Sequence, residues 1–242
     1  MSTGAGEHRY AFEARADGGL AVRVADTPVV LRAAGALWVE AQRALVVADL
    51  HFEKGSFFAA RGQMLPPYDT RDTLRRLEAE VAELDPRLLV FLGDSFHDGD
   101  GQSRLAADDG ERIGALAKGR WMIWIAGNHD GRALEGLPGE SMASLCLAGL
   151  SLVHEPADDA QYGEVAGHLH PCARVAGRAA SVRRRCFVTD EERLILPAFG
   201  AYAGGLNVRD AAFARLFRRP PLTVALGARR AHAIGWRSLR GD

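Results

Sequence analysis

The sequence contains no apolar run of the roughly 18 residues or more that a bilayer-spanning helix needs, which excludes such a span. Its opening stretch, MSTGAGEHRYAFEARADGG, has neither an apolar core of signal-peptide length nor a cleavage pattern, so a cytoplasmic location without membrane contact is expected. Cysteine is scarce. Cys146, Cys172 and Cys186 are odd in number and form no Cys-x-x-Cys pair, which argues against a disulfide framework or zinc knuckle and for reduced thiols. Lysine is nearly missing, with Lys54 and Lys118 the two lysines among 30 basic residues; beside the wealth of alanine and glycine this reads as compositional bias. An excess of either charge is missing too: 30 basic residues face 31 acidic ones, so net charge gives no evidence for a nucleic-acid partner. Aromatic residues make up 7%, and their pattern defines no base-stacking platform; the four tryptophans, Trp121 and Trp124 among them, are expected in or beside the core. What remains, 48% hydrophobic and 25% charged, excludes disorder and suits one α/β domain over residues 1–242.

Along the chain, short apolar stretches between Tyr10 and Val39 alternate with turn residues and predict β-hairpins. ALVVA, from Ala44 to Ala48, then stops abruptly at Asp49, as a strand buried on both faces would. Leu74, Leu77, Val81 and Leu84 recur at helical spacing, with Asp69 or Thr70 as cap and Pro86 as stop. RLLVFLGD and WMIWIAGNHD repeat the strand form, separated by a helix predicted from Asp108 to Lys118. LSLVHE and EVAGHLH repeat it again, LILPAF predicts a late strand, and Asp210 to Phe217 a short helix.

Each of the five strong strands delivers polar residues at its carboxyl end, the place where open α/β sheets build their sites. In order these are Asp49 and His51; Asp94 with His97; Asn128, His129 and Asp130; His154; and His168 with His170. Six of the eight histidines fall in these clusters. Mixed carboxylate, imidazole and amide donors suit manganese, iron or zinc, and the set exceeds what one ion needs, which points to two ions sharing a carboxylate. In Asp49-Leu50-His51 and His168-Leu169-His170, alternate residues of an extended stretch would aim at one site. Gly93, Gly127 and Gly167 each precede a cluster, where a missing side chain permits close approach.

D-x-H at Asp49–His51, G-D at Gly93–Asp94, G-N-H-D at Gly127–Asp130, the single His154 and G-H-x-H at Gly167–His170 resemble, in order and separation, the five motifs of the calcineurin-like metallophosphoesterases. VADLHFEKGSFFAARGQMLPPYDT and LVFLGDSFHD resemble more narrowly the bacterial ligase-associated DNA damage response endonucleases, which accompany a DNA helicase and a DNA ligase. The resemblance covers about residues 37–217 and leaves a basic segment, 218–242, outside it. It implies an α/β sandwich of two mixed β-sheets flanked by α-helices. It also implies a binuclear phosphodiesterase, most specifically a manganese-dependent DNA endonuclease of repair. Asp49, His51 and His170 would hold one ion, Asn128, His154 and His168 the other, and Asp94 would bridge them. A hydroxide between the ions would attack phosphorus, His129 would protonate the leaving oxygen, and Asp130 would orient His129. His97 stands where many members of the broad family carry Asp, and is expected to support the site or face substrate.

Glu53, Lys54 and Arg61, just past the first motif, could face substrate phosphate or form a solvated helix face with ion pairs; Arg61, and Arg174 just past the last motif, are the candidates for substrate contact. Two stretches are basic without any acid: Arg174 to Arg185 with five arginines, and Ala211 to Gly241 with seven. The first could hold a phosphate backbone or be an arginine-rich loop. A homodimer is compatible with the resemblance, and the apolar PLTVAL segment is a candidate contact for it. Two alternatives stay open: a hydrolase of small phosphodiesters or nucleotide pyrophosphates, and a scaffold of a repair complex without catalysis.

Overall fold

The computed structural model describes residues 10–130, 134–159, 161–176 and 181–242. The hairpin residues near the amino terminus form β1 (Glu13–Ala14), β2 (Leu20–Val24), β3 (Thr27–Leu31) and β4 (Leu37–Val39), each antiparallel to the next. The continuous apolar runs form β5 (Ala44–Ala48), β6 (Leu88–Leu92) and β7 (Trp121–Ile125), which lie parallel, with β8 (Glu140–Met142) parallel beyond them. These eight strands stand in sequence order in the first sheet.

The second sheet takes β9 (Leu145–Leu147), β10 (Leu150–Val153), β11 (Glu164–Ala166), β12 (Cys172–Ala176), β13 (Ser181–Thr189), β14 (Leu194–Ile195), β15 (Leu222–Leu226), β16 (Ala231–Ile234) and β17 (Leu239–Arg240). Its main path runs β16-β15-β13-β14-β11-β10-β9, while β12 pairs with the outer half of β13 and with β17. Strands β10, β11 and β14 are parallel. Both sheets are therefore mixed.

Alternation of side chains across each strand makes two apolar layers from the first sheet. Val22, Val46, Val90 and Ile125 meet Leu152, Val165, Phe187 and Val224 of the second sheet. On the opposite face Val47, Phe91, Met122 and Trp124 pack on Leu74, Leu77 and Val81 of α2 (Asp69–Leu84) and on Ile113 and Leu116 of α4 (Ala107–Ala117). Trp124 stacks on Phe91 with ring centroids 4.2 Å apart. Short helices α1 (Lys54–Ala59) and α3 (Gly101–Arg104) lie at the strand ends. The far face of the second sheet has less helical cover: α5 (Ala211–Ala214) supplies Phe213, and the β12–β17 pair supplies Ala173 and Leu239.

Several details differ from the sequence reading. Asp69 and Thr70 do not cap α2; Tyr68 holds that position without a side-chain bond, Asp69 accepts from the Gly55 N–H (3.1 Å) and the Thr70 hydroxyl bonds Glu53 (2.9 Å). Trp121 is 79% exposed, because it points to the inter-sheet side at the amino end of β7, where the second sheet no longer covers it. PLTVAL is no surface: every residue of β15 is buried, with β13 and β16 on either side, so it cannot form a dimer contact. No described helix is long and apolar enough to cross a membrane.

Candidate metal centre

The strand pairing does not stop where the apolar runs stop. Beyond β5 and β6, Asp49 N–H donates to Gly93 O (3.2 Å), His51 N–H to Asp94 O (2.9 Å) and Phe52 N–H to Ser95 O (2.9 Å). The two loops are thus zipped together and hold their side chains in fixed relation. They are not extended, as the alternating spacing predicted: Asp49 (φ 53°), His51 (φ 45°), Asp94 (φ 45°), His168 (φ 67°) and His170 (φ 47°) all take left-handed conformations. The sharp turn at each such residue lets Leu50 enter the core between two polar neighbours.

Close approach sets the glycines. An added Cβ at Gly93 (φ +67°) would stand 2.3 Å from His154 Nδ1, and one at Gly127 would stand 2.0 Å from the Asp94 nitrogen. Gly93→Ala is expected to displace the His154 ring and to weaken divalent-ion binding more than it lowers the melting temperature of ion-free protein. Calorimetric ion titration beside thermal unfolding checks this; unchanged ion affinity would remove the packing role.

Two groups of donor atoms result, each within 4.8 Å: Asp49 with His51 and His170, and Asp94 with His154 and His168. His51 Nε2 lies 3.2 Å from His170 Nε2, and His154 Nε2 lies 3.2 Å from His168 Nδ1. Asp49 Oδ1 is 3.4 Å from His170 Nε2. Asp94 sits between the groups, with Oδ1 3.5 Å from His154 Nε2 and Oδ2 4.0 Å from His51 Nε2. Nitrogen facing nitrogen with carboxylates alongside is a donor set that satisfies itself poorly and suits a cation. His154 Nδ1 is 3.1 Å from Leu92 O; donating its proton there would leave Nε2 bare toward the site, the arrangement metal-binding imidazoles use. Burial first, then charge repulsion involving His170, His97, Lys54 and His129, holds the His51 imidazole neutral by lowering its pKa to about 2. Residues of this type and spacing fit two divalent ions.

The other predicted residues fall around this centre in different ways. Asn128 is exposed in the turn before His129, and its side chain makes no hydrogen bond among the described residues. His129 donates its backbone N–H to Asp94 Oδ1 (2.9 Å), and its ring Nε2 is 3.9 Å from Asp94 Oδ2. Asp130 does not reach the His129 ring. Its buried carboxylate accepts instead from Gly127 N–H (2.9 Å) and Phe96 N–H (3.0 Å), tying the third motif to the second. Desolvation raises the Asp130 pKa against the lowering effect of those donors.

His97 lies parallel to His129 with ring centroids 6.0 Å apart, and meets His51 edge-on at 5.6 Å. Burial, then Lys54 and His129, lower its pKa to about 4, so it is neutral near pH 7. Phe57 packs edge-on against it at 4.6 Å, and the Arg61 guanidinium covers Phe57 at 3.5 Å. Arg61 therefore stands beside the His97 edge of the centre. Arg174 is used elsewhere: it donates to Ser181 Oγ (2.8 Å) and Gly241 O (3.4 Å) along β12. Glu53 is buried against Thr70 rather than on a solvated face. Sequence reading passed over Gly200, whose N–H donates to Asp49 O (3.1 Å) and whose added Cβ would meet Leu50 O at 2.2 Å; the glycine-rich run FGAYAGG was its signal.

Comparison with known proteins agrees with this geometry. Residues 42–183 match the family model of the calcineurin-like phosphoesterases. Among solved structures, Pseudomonas putida nuclease MPE is similar to this chain at a TM-score of 0.68 and 27% identity, over 89% of this chain and all of the other. Yfce, a phosphoesterase from E. coli, aligns at a TM-score of 0.40 and 17% identity over 79% of this chain and 98% of its own. No curated protein matches. With more than half of its length matched, and with the five polar clusters gathered at one edge of two mixed sheets, the chain belongs to the calcineurin-like phosphoesterase family.

Proposed function

We propose that the chain is a phosphodiesterase that cuts DNA strands, as an endonuclease of repair, using two divalent ions, manganese first among them. The observation that carries this reading is the pair of adjoining donor groups with Asp94 reaching both. Asp49, His51 and His170 would hold one ion, and His154, His168 and Asn128 the other. Bound there, the ions would neutralise phosphoryl charge and activate water near neutral pH.

The chain's own groups position and protonate. Phosphoryl transfer asks mainly for placement and charge balance, so few further groups are needed. His129, half exposed beside Asp94, gives its ring proton to the leaving oxygen. His97, neutral and parallel to it, lines the substrate side with Arg61 beyond. The similarity to a nuclease over nearly the whole chain supports a nucleic-acid substrate, and the motif resemblance supports work beside a DNA helicase and a DNA ligase.

Stripping divalent ions and restoring manganese, zinc or magnesium separately tests this. Hydrolysis of bis(4-nitrophenyl) phosphate and cleavage of single-stranded DNA, strongest with manganese, is expected. Cleavage of the small diester with DNA left intact would transfer the reading to small substrates, and no hydrolysis with any ion would overturn it.

A further inference from the structure

A second set of charged groups shares the edge of the sandwich that carries the metal centre. Strand register fixes this. Leu31, at the end of β3, is level with Leu37 and so with Val46 of β5. Ala48 bridges Ala198 across the two sheets. Ile195 pairs with Val188, so the Arg183–Arg185 part of β13 emerges on that same edge. Ala225 opposes Cys186, which brings the turn after β15 there as well.

A cavity of about 870 Å³ opens between these elements, and its lining carries groups of both charges. The buried Arg32 spends its donors on Asp17 (2.8 Å), Glu80 (2.7 Å) and Glu83 (2.6 Å), one cation among three carboxylates. Arg76, Arg184, Arg185 and Arg229 also line the cavity. Among the described residues none of these four forms an ion pair. Arg185 donates to the carbonyls of Ala198 (2.9 Å), Phe199 (3.3 Å) and Gly200 (3.2 Å), and Arg76 donates to Phe199 O while covering the Phe199 ring at 4.9 Å. Carbonyls satisfy N–H donors but bring no countercharge. Burial, then repulsion from Arg185, lowers the Arg76 pKa to about 10, which still leaves it cationic. Arg184 and Arg229 are exposed.

The carbonyls in question belong to a segment that also touches the metal centre. Phe199 N–H donates to Ala48 O (2.7 Å) and Gly200 N–H to Asp49 O (3.1 Å). Arg76 and Arg185 are therefore separated from Asp49 by the Phe199–Gly200 backbone, on the same rim.

We propose that Arg76, Arg184, Arg185 and Arg229 form a phosphate track that holds the backbone of a nucleic-acid strand as it runs along the rim away from the metal centre. The proposal rests on the nucleic-acid reading above and names where the strand goes. Guanidinium forks suit phosphate oxygens better than an ammonium does, in keeping with four arginines and no lysine. Contacts of this kind place a strand without reading its sequence. Binding energy gained there helps position the reacting diester, a benefit that a substrate too short to reach the track does not receive.

Fluorescence anisotropy with a labelled single-stranded DNA 20-mer, on the full chain in chelator so that no strand is cut, tests the track directly. Arg184→Gln combined with Arg229→Gln alters two exposed side chains and is expected to weaken binding about tenfold and to flatten the log–log salt slope by about 1.4, roughly 0.7 for each lost phosphate contact. Arg76→Gln, measured separately, is expected to weaken binding in the same sense. The double variant with ions restored should hydrolyse bis(4-nitrophenyl) phosphate like the parent. Unchanged affinity and salt slope would overturn the track, as would weaker binding with an unchanged slope, or a parent protein that does not bind the 20-mer at low salt. Equal binding of poly-glutamate would overturn it too, since a site for any polyanion is no strand track. Loss of the nucleic-acid reading looks different: the parent then binds the 20-mer but never cuts it with any ion.

Discussion

Replacing His129 with alanine is expected to slow hydrolysis of a diester with an alkoxide leaving group by about 10²–10⁴-fold, with both ions still bound. The reason is its place. His129 has a side chain 52% exposed, against 6% for His51 and 5% for His154, and it belongs to neither donor group. Its backbone N–H donates to Asp94 Oδ1, which sets the ring beside the Asp94 carboxylate. An imidazole is suited to passing a proton near neutrality. A nitrophenolate leaving group needs no such proton, so the same variant should lose far less on that substrate. Rates on both substrates, with bound metal measured by mass spectrometry, decide the matter. Equal losses on the two would show that the ring does something other than donate a proton, and full activity on the alkoxide substrate would end the acid role.

Asp94→Asn is expected to abolish hydrolysis and to weaken ion binding by more than the roughly 10–100-fold that loss of a mere supporting residue costs. One buried carboxylate there faces His154 with one oxygen and His51 and His129 with the other. The asparagine keeps an oxygen for the His129 N–H, so the ion-free fold should melt close to the parent. Asp94→Ala removes that acceptor as well and should melt below Asp94→Asn. Titration of ions per chain with thermal unfolding measures both. Two tightly held ions in Asp94→Asn would mean that Asp94 does not join the two groups.

The candidate metal residues were legible because strand burial and ligand chemistry are both local. ALVVA followed by Asp49, or WMIWI followed within a few residues by Asn128 and His129, shows an apolar strand ending in donors whatever the rest of the chain does. Conformation at those donors was not legible, since a left-handed His51 has the same sequence neighbours as an extended one. The partners of Asp130 lie in another loop, so adjacency to His129 misled. The carboxyl-terminal half was harder for a different reason. β13 begins with exposed arginines beside β12 and only then enters the sheet, so its first half reads as a charged loop. Arg76 and Arg185 meet only because a helix on one sheet and a strand of the other share the carbonyls of Phe199, a coincidence of register without any short-range signature.

The left-handed backbone at five of the predicted metal residues also sets a limit on how this protein can be improved. Each such conformation costs a residue with a Cβ about 1–2 kcal/mol, and glycine would relieve it at once. Relief would delete the donor. The edge that performs chemistry is thus the edge where the native chain forgoes stability, and selection for heat resistance must find its gains elsewhere, in the helix layer or between the sheets. Ion binding repays part of that debt, so the protein should tolerate heat best when it is ready to work.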